Sequence, residues 1–134
     1  MSPIIALKAG LRGLLVADAA LSALLGGPKV HDEVPRGAAT PYIAFGDASC
    51  RDNGTVSDAG HVTELQLVVW SRQGGTHEAL TIADRAAGLI EDAAPTLSGH
   101  RLVNARVTAT DVRRQPEKGL TRVALRLRLV TEVV

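Results

Sequence analysis

Apolar and polar residues alternate most regularly near the C-terminal end, over residues 120–134. Thr121, Val123, Leu125, Leu127, Leu129, Thr131 and Val133 fall on one side of a two-residue repeat. Leu120, Arg122, Ala124, Arg126, Arg128, Val130 and Glu132 fall on the other. A period of two over this length predicts a strand with one face on a core and one face wet or partnered. Residues 101–114 repeat the pattern, with Val103, Ala105, Val107 and Ala109 alternating with Asn104, Arg106, Thr108 and Thr110. The intervening Gln115-Pro116-Glu117-Lys118-Gly119 has the chemistry of a turn, so the two segments form a hairpin, apolar on one side and arginine-bearing on the other.

The rest of the chain supplies the cover. Ser2-Pro3 is an N-cap followed by proline at the first helical position, and Ile4, Leu7, Leu11, Leu14 and Leu15 then recur at helical spacing. Gly10 and Gly13 interrupt that helix and point to close packing against the sheet. Asp18 caps a short second turn carrying Leu21, Leu24 and Leu25, which Gly26-Gly27-Pro28 ends. Residues 30–34 form a short strand before Pro35, and Pro41 opens another over residues 42–50. Residues 51–60 form a polar, glycine-punctuated hairpin loop, longer than the usual two to five residues. Residues 61–72 form a long strand, with Thr63, Leu65, Leu67 and Val69 opposed to Val62, Glu64, Gln66, Val68 and Trp70. After Gly74-Gly75 a helix covers roughly residues 76–93, its core stripe marked by Leu80, Ala83, Ala87 and Ile90.

The sum is an α+β fold in the order α-β-β-β-α-β-β. It is a largely antiparallel sheet of about five strands with two helices packed on one face, in a single domain spanning residues 1–134. The hairpin outreaches its cover: a strand of about fourteen residues spans about 47 Å, and the main helix about 26 Å. Either the hairpin ends enter solvent or another subunit covers them.

Composition narrows the chemistry. Only Tyr42, Phe45 and Trp70 are aromatic, so the core is aliphatic. The net charge of +1 excludes a whole-molecule field for nucleic acid, but it is unevenly spread. Residues 1–99 carry 7 Lys/Arg against 11 Asp/Glu, whereas residues 100–134 carry 8 against 3. Such asymmetry suits a surface that meets a copy of itself basic face to acidic face, and it equally suits the wet face of a hairpin. Cys50 stands alone, which excludes an intramolecular disulfide. No stretch has about twenty uninterrupted apolar residues, so no membrane span is expected. The apolar N-terminal region contains Lys8, Arg12 and Asp18 and is expected to be a helix of the mature protein.

No catalytic constellation emerges. His31, His61, His77 and His100 lie in four separate segments without ligand spacing, and no cofactor or metal is expected. His77-Glu78 opens like a zinc-protease motif, but Thr81 stands where the second histidine is needed. The hairpin arginines lack interleaved aromatics, so base stacking is not indicated.

Three short motifs carry a resemblance. Val30-His31-Asp32-Glu33-Val34-Pro35, then Pro41-Tyr42-Ile43 with Gly46, then Val68-Val69-Trp70-Ser71 ahead of a helix resemble the tail completion (tail terminator) proteins of long-tailed phages. That family includes the terminators of phage-like gene transfer agents of alphaproteobacteria, and the resemblance runs from the first helix to the last strand. It implies a structural protein without catalytic residues, forming a homohexameric ring that ends the tail tube and joins it to a head-side connector or stopper protein. DNA would pass transiently, and without sequence preference, through the ring. Assembly would occur in the host cytoplasm, with no membrane partner. On this reading Arg106, Arg122, Arg126 and Arg128 face the lumen or a neighbouring subunit. Arg51, Asp52, Asn53 and Asp58 lie in a loop that meets the tail tube, and Pro35, Pro41, Tyr42 and Trp70 are architectural, the prolines as two chain reversals and the aromatics as two large anchors in the aromatic-poor core. The alternatives are another head–tail connector, or a small α+β binding module that contacts nucleic-acid phosphates.

Overall fold

A computed structural model describes residues 2–55, 59–92 and 95–134. These form helices α1 (Pro3–Val16), α2 (Ala19–Leu25) and α3 (His77–Asp92), and strands β1 (Val30–His31), β2 (Tyr42–Asp52), β3 (Gly60–Ser71), β4 (His100–Gln115) and β5 (Leu120–Val133). The strands make one sheet in the order β1-β2-β3-β5-β4. All neighbours are antiparallel except the β1–β2 pair at one edge, which is parallel. The fold is therefore the α+β arrangement expected, with the short second turn a helix in its own right.

Local chemistry sets the element ends. The Ser2 hydroxyl accepts from the Ile4 N–H at 3.2 Å, and Pro3 occupies the first turn of α1. Asp18 caps α2 by accepting from the Leu21 N–H at 2.9 Å, and Gly26 closes that helix in the left-handed region at φ 79°. The β4–β5 turn is one 3-10 turn over Pro116–Lys118, and Gly119 supplies the positive φ of 60° that returns the chain.

The core lies between the helices and one face of the sheet. Ile43, Val69 and Val123 share one cross-strand row, Phe45, Leu67 and Leu125 the next, and Leu65 and Leu127 a third. Against them pack Leu7, Leu11 and Leu15 of α1, Leu21 and Leu25 of α2, and Ile82, Ala86 and Ile90 of α3. Each fully buried leucine or isoleucine contributes about 1.5–3 kcal/mol from removal of its side chain from water. Asp18 also receives two hydrogen bonds from the Arg85 guanidinium, at 2.7 and 2.9 Å, which tie the α1–α2 corner to α3.

Several expectations are corrected. The strand expected over residues 30–34 is only two residues long, because the chain leaves the sheet at Asp32, whose carboxylate pairs with Lys8 of α1 at 2.8 Å. Of the loop expected over residues 51–60, Arg51 and Asp52 instead complete β2 and Gly60 opens β3, and residues 56–58 lie outside the described residues. Gly10 packs closely, but against residues 95–97 and not the sheet; a Cβ there would lie 2.5 Å from Leu97 Cδ2. A Cβ on Gly13 would meet none of the described residues within 4 Å. Leu80 belongs to the outer side of α3 and is exposed.

The largest departure is in β4. Its alternation with β5 breaks after Leu102 and again after Val107, where bulges insert Val103 and Thr108. Ala105 and Val107 face the helices as expected, but Val103 is exposed, and Ala109 is carried to the opposite face beside Arg126. The excess length falls on β4 alone. β5 is enclosed between β3 and β4, whereas residues 110–114 of β4 are all exposed.

Candidate assembly surface

The sheet face turned away from the helices carries the hairpin arginines. Because directly opposed residues share a face, the pairing places them in rows. Trp70, Arg122 and Arg113 form one row, and Val68, Ala124 and Asp111 the next. Gln66, Arg126 and Ala109 follow, then Glu64, Arg128 and Arg106. All four arginines singled out from the sequence thus stand on one uncovered face. Arg113 joins them, a residue that simple alternation assigns to the core side; the bulge at Thr108 reverses its parity.

The face has its own packing. Ala44, Val62, Val68 and Ala124 are buried although no helix covers them. They are short residues between rows of long ones, and arginine stems with their heads in water readily close over such positions. The Arg122 guanidinium lies 5.7 Å from the centre of the Trp70 ring, a cation–π contact that holds both side chains against the sheet. Gly46 leaves room for Gln66, whose Oε1 would stand 2.4 Å from any Cβ there.

Electrostatically the surface is frustrated. Arg106 lies directly opposite Arg128, and Arg113 directly opposite Arg122. Opposed like charges destabilise a strand pair by several tenths of a kcal/mol. Glu64 flanks Arg128 from β3 but also lies 3.9 Å from Arg51, and Glu132 is paired with Arg101. Among the described residues, neither Arg106 nor Arg126 has an ion pair. The Asp18–Arg85 bridge lies on the helix side, where the Arg85 hydrogen bonds hold the Asp18 carboxyl below its usual range.

The other sequence candidates are placed as follows. Arg51 and Asp52 end β2, and Asp52 accepts from the Gly54 N–H at 2.9 Å. Asn53 follows, donating its N–H to the Gly60 carbonyl at 2.9 Å. Asp58 lies outside the described residues. Pro35 is exposed and its carbonyl accepts from the Ala38 N–H in a turn, while Pro41 follows a cis peptide bond and leads into β2. Tyr42 and Trp70 were expected as anchors within the core. Both are half-buried on the arginine face, opposite each other across β2 and β3, and Phe45 is the aromatic residue that joins the core. Tyr42 also meets the His31 ring edge-on at 5.8 Å.

Among the described residues no three of His, Cys, Asp and Glu gather to hold a metal ion. The open hollow beside α1, of about 300 Å³, is lined chiefly by Ile4, Ile5, Ala9 and Phe45, with the Lys8–Asp32 pair at its side. Among the described residues no helix is long and apolar enough to cross a membrane.

The fold is thus a helix-backed, largely antiparallel sheet whose other face carries the hairpin arginines. The family model for tail completion protein gp17 matches residues 9–132, and the chain belongs to that family. No curated protein matches it. Among solved structures, a chain described as part of the virion of a native gene transfer agent particle is 30% identical, with a TM-score of 0.87 and 96% of each chain covered.

Proposed function

We propose that this protein is a structural component of a phage-like particle, of the gene transfer agent kind. Copies of it close into a ring that ends the tail tube and joins it to the head-side connector. Six copies form the ring, DNA passes through its centre, and the arginine face meets either that DNA or the acidic surface of the next copy. Family membership and the likeness to a gene transfer agent virion chain support the particle assignment.

The observation that carries the ring reading is the two pairs of opposed arginines, Arg106 with Arg128 and Arg113 with Arg122, on a face that no described helix covers. An isolated chain gains nothing from setting like charges side by side. A polyanion or an acidic neighbour turns that cost into attraction, and contact with DNA phosphates needs no base recognition. Native mass spectrometry of the purified protein and imaging of particles test the reading. A ring of six copies at the head end of the tail is the expected result; a protein monomeric at high concentration and absent from tail particles refutes it. Charge reversal, Arg126→Glu, is expected to weaken assembly or DNA passage, and undisturbed assembly and passage would remove the arginine face from the proposal. Residues 51–60 are proposed to contact the tube, and slower hydrogen exchange there on addition of tube protein is the expected sign.

A further inference from the structure

The sheet ends in two free edges of unequal character. On one side β1 covers only Ile43 and Ala44 of β2, so residues 46–52 have a strand neighbour on one side only. On the other side β4 is an edge along its whole length. Its first half is blunted by the two bulges and by Glu91 of α3, whose carboxylate accepts the Val107 N–H at 3.2 Å. Its second half, from Ala109 to Gln115, pairs regularly with β5 and carries no such protection.

We propose that the ring is closed edge to edge, with residues 109–113 of one copy paired antiparallel with residues 47–51 of the next, Thr110 opposite Cys50. This rests on the ring reading above and goes further by naming the joint. Three antiparallel steps separate β2 from β4, so the two edges run in opposite directions within one copy. Rotation about an axis roughly along the strands keeps those directions, and the sheet continues antiparallel from copy to copy.

Chemistry selects the register. Thr110 and Cys50 both lie on the helix side of the sheet, as do Val112 and Ala48. With Thr110 opposite Cys50, Val112, which is 42% exposed in the single chain, lies beside Ala48 of the next copy. On the other face Arg113 comes opposite Asp47, and Asp111 comes diagonal to Arg51. Among the described residues neither Arg113 nor Asp47 has an ion pair within its own chain.

Ring geometry agrees. The row through Cys50 meets β5 at Leu129, whereas Thr110 meets it at Leu125, a stagger of four residues. Four residues rise about 14 Å, and four strands span about 19 Å. The resulting tilt of about 35° sits at the lower end of the range for closed β-barrels.

The single native cysteine makes the joint testable. Thr110→Cys in the assembled protein is expected to give, on mild oxidation, a ladder of covalent multimers on a non-reducing gel. Adding Cys50→Ser abolishes the ladder. Ala105→Cys, which would face Cys50 if copies met without stagger, is expected to give none. Asp47→Arg and Arg113→Asp should each reduce the assembled fraction several-fold, and the two together should restore it. Ring-sized particles without the Thr110→Cys cross-link, or a ladder from Ala105→Cys in its place, would overturn the joint while leaving the ring intact. A monomer under all conditions would overturn both.

Discussion

Two glycines three residues apart on α1 offer a controlled test of how the fold packs. Gly→Ala in a helix interior gains about 0.8–1 kcal/mol from backbone propensity. At Gly13 no described residue opposes that gain, since a Cβ would meet none of them within 4 Å. At Gly10 the Cβ would sit 2.5 Å from Leu97 Cδ2 and 3.0 Å from the Thr96 carbonyl oxygen. Leu97 is part of the core and cannot swing freely, and Thr96 presents backbone, so overpacking of about 1–3 kcal/mol outweighs the propensity gain. Gly13→Ala should therefore stabilise by roughly 0.5–1 kcal/mol, and Gly10→Ala should destabilise by about 1 kcal/mol. With about 2.1 cal/mol/K of unfolding entropy per residue, 1 kcal/mol corresponds to about 3–4 °C in Tm for a chain of 134 residues. The two variants should differ by about 5–8 °C in thermal melts at one fixed protein concentration, since assembly makes Tm concentration-dependent. Equal shifts in the same direction would show that residues 95–97 do not press on α1.

Other outcomes follow from the same structure. Thr63 is fully buried and its hydroxyl has no hydrogen-bond partner among the described residues, so Thr63→Val should raise stability by about 1 kcal/mol in urea unfolding. A lower urea midpoint would mean that the hydroxyl is satisfied. The Asp18 carboxyl is held below its usual pKa by Arg85 and the Leu21 N–H, so its contribution is present at neutral pH and lost as the pH falls below about 4. Asp18→Asn should flatten the dependence of the urea midpoint on pH in that window, and an unchanged slope would remove Asp18 from the account. Arg106→Gln relieves the clash with Arg128; it should stabilise the isolated chain by several tenths of a kcal/mol at low salt, less at high salt, and weaken assembly. A variant less stable than the parent would contradict the frustration argument.

Much of this was legible in the residue order because it is local. The two-residue repeats of β3 and β5 specify which side of each strand is apolar, and the structure buries Leu65, Leu67, Leu125 and Leu127 accordingly. The caps at Ser2 and Asp18 and the Gly119 turn depend on a few neighbouring residues, so they too could be read directly. Arg122, Arg126 and Arg128 share a face for the same reason.

What tertiary structure alone decided depends on contacts between distant segments. The order β1-β2-β3-β5-β4 makes β5 central and leaves β4 as an edge, which adjacency in the chain does not reveal. The bulges at Val103 and Thr108 are set by how β4 fits β5 and α3, and they move Arg113 onto the charged face. Tyr42 and Trp70 stand on that face, opposite each other across β2 and β3, because the helices pack on the other side of the sheet. A strand's repeat records that it has two sides; which side meets helices, and which edge stays open, is settled only when the other strands are in place.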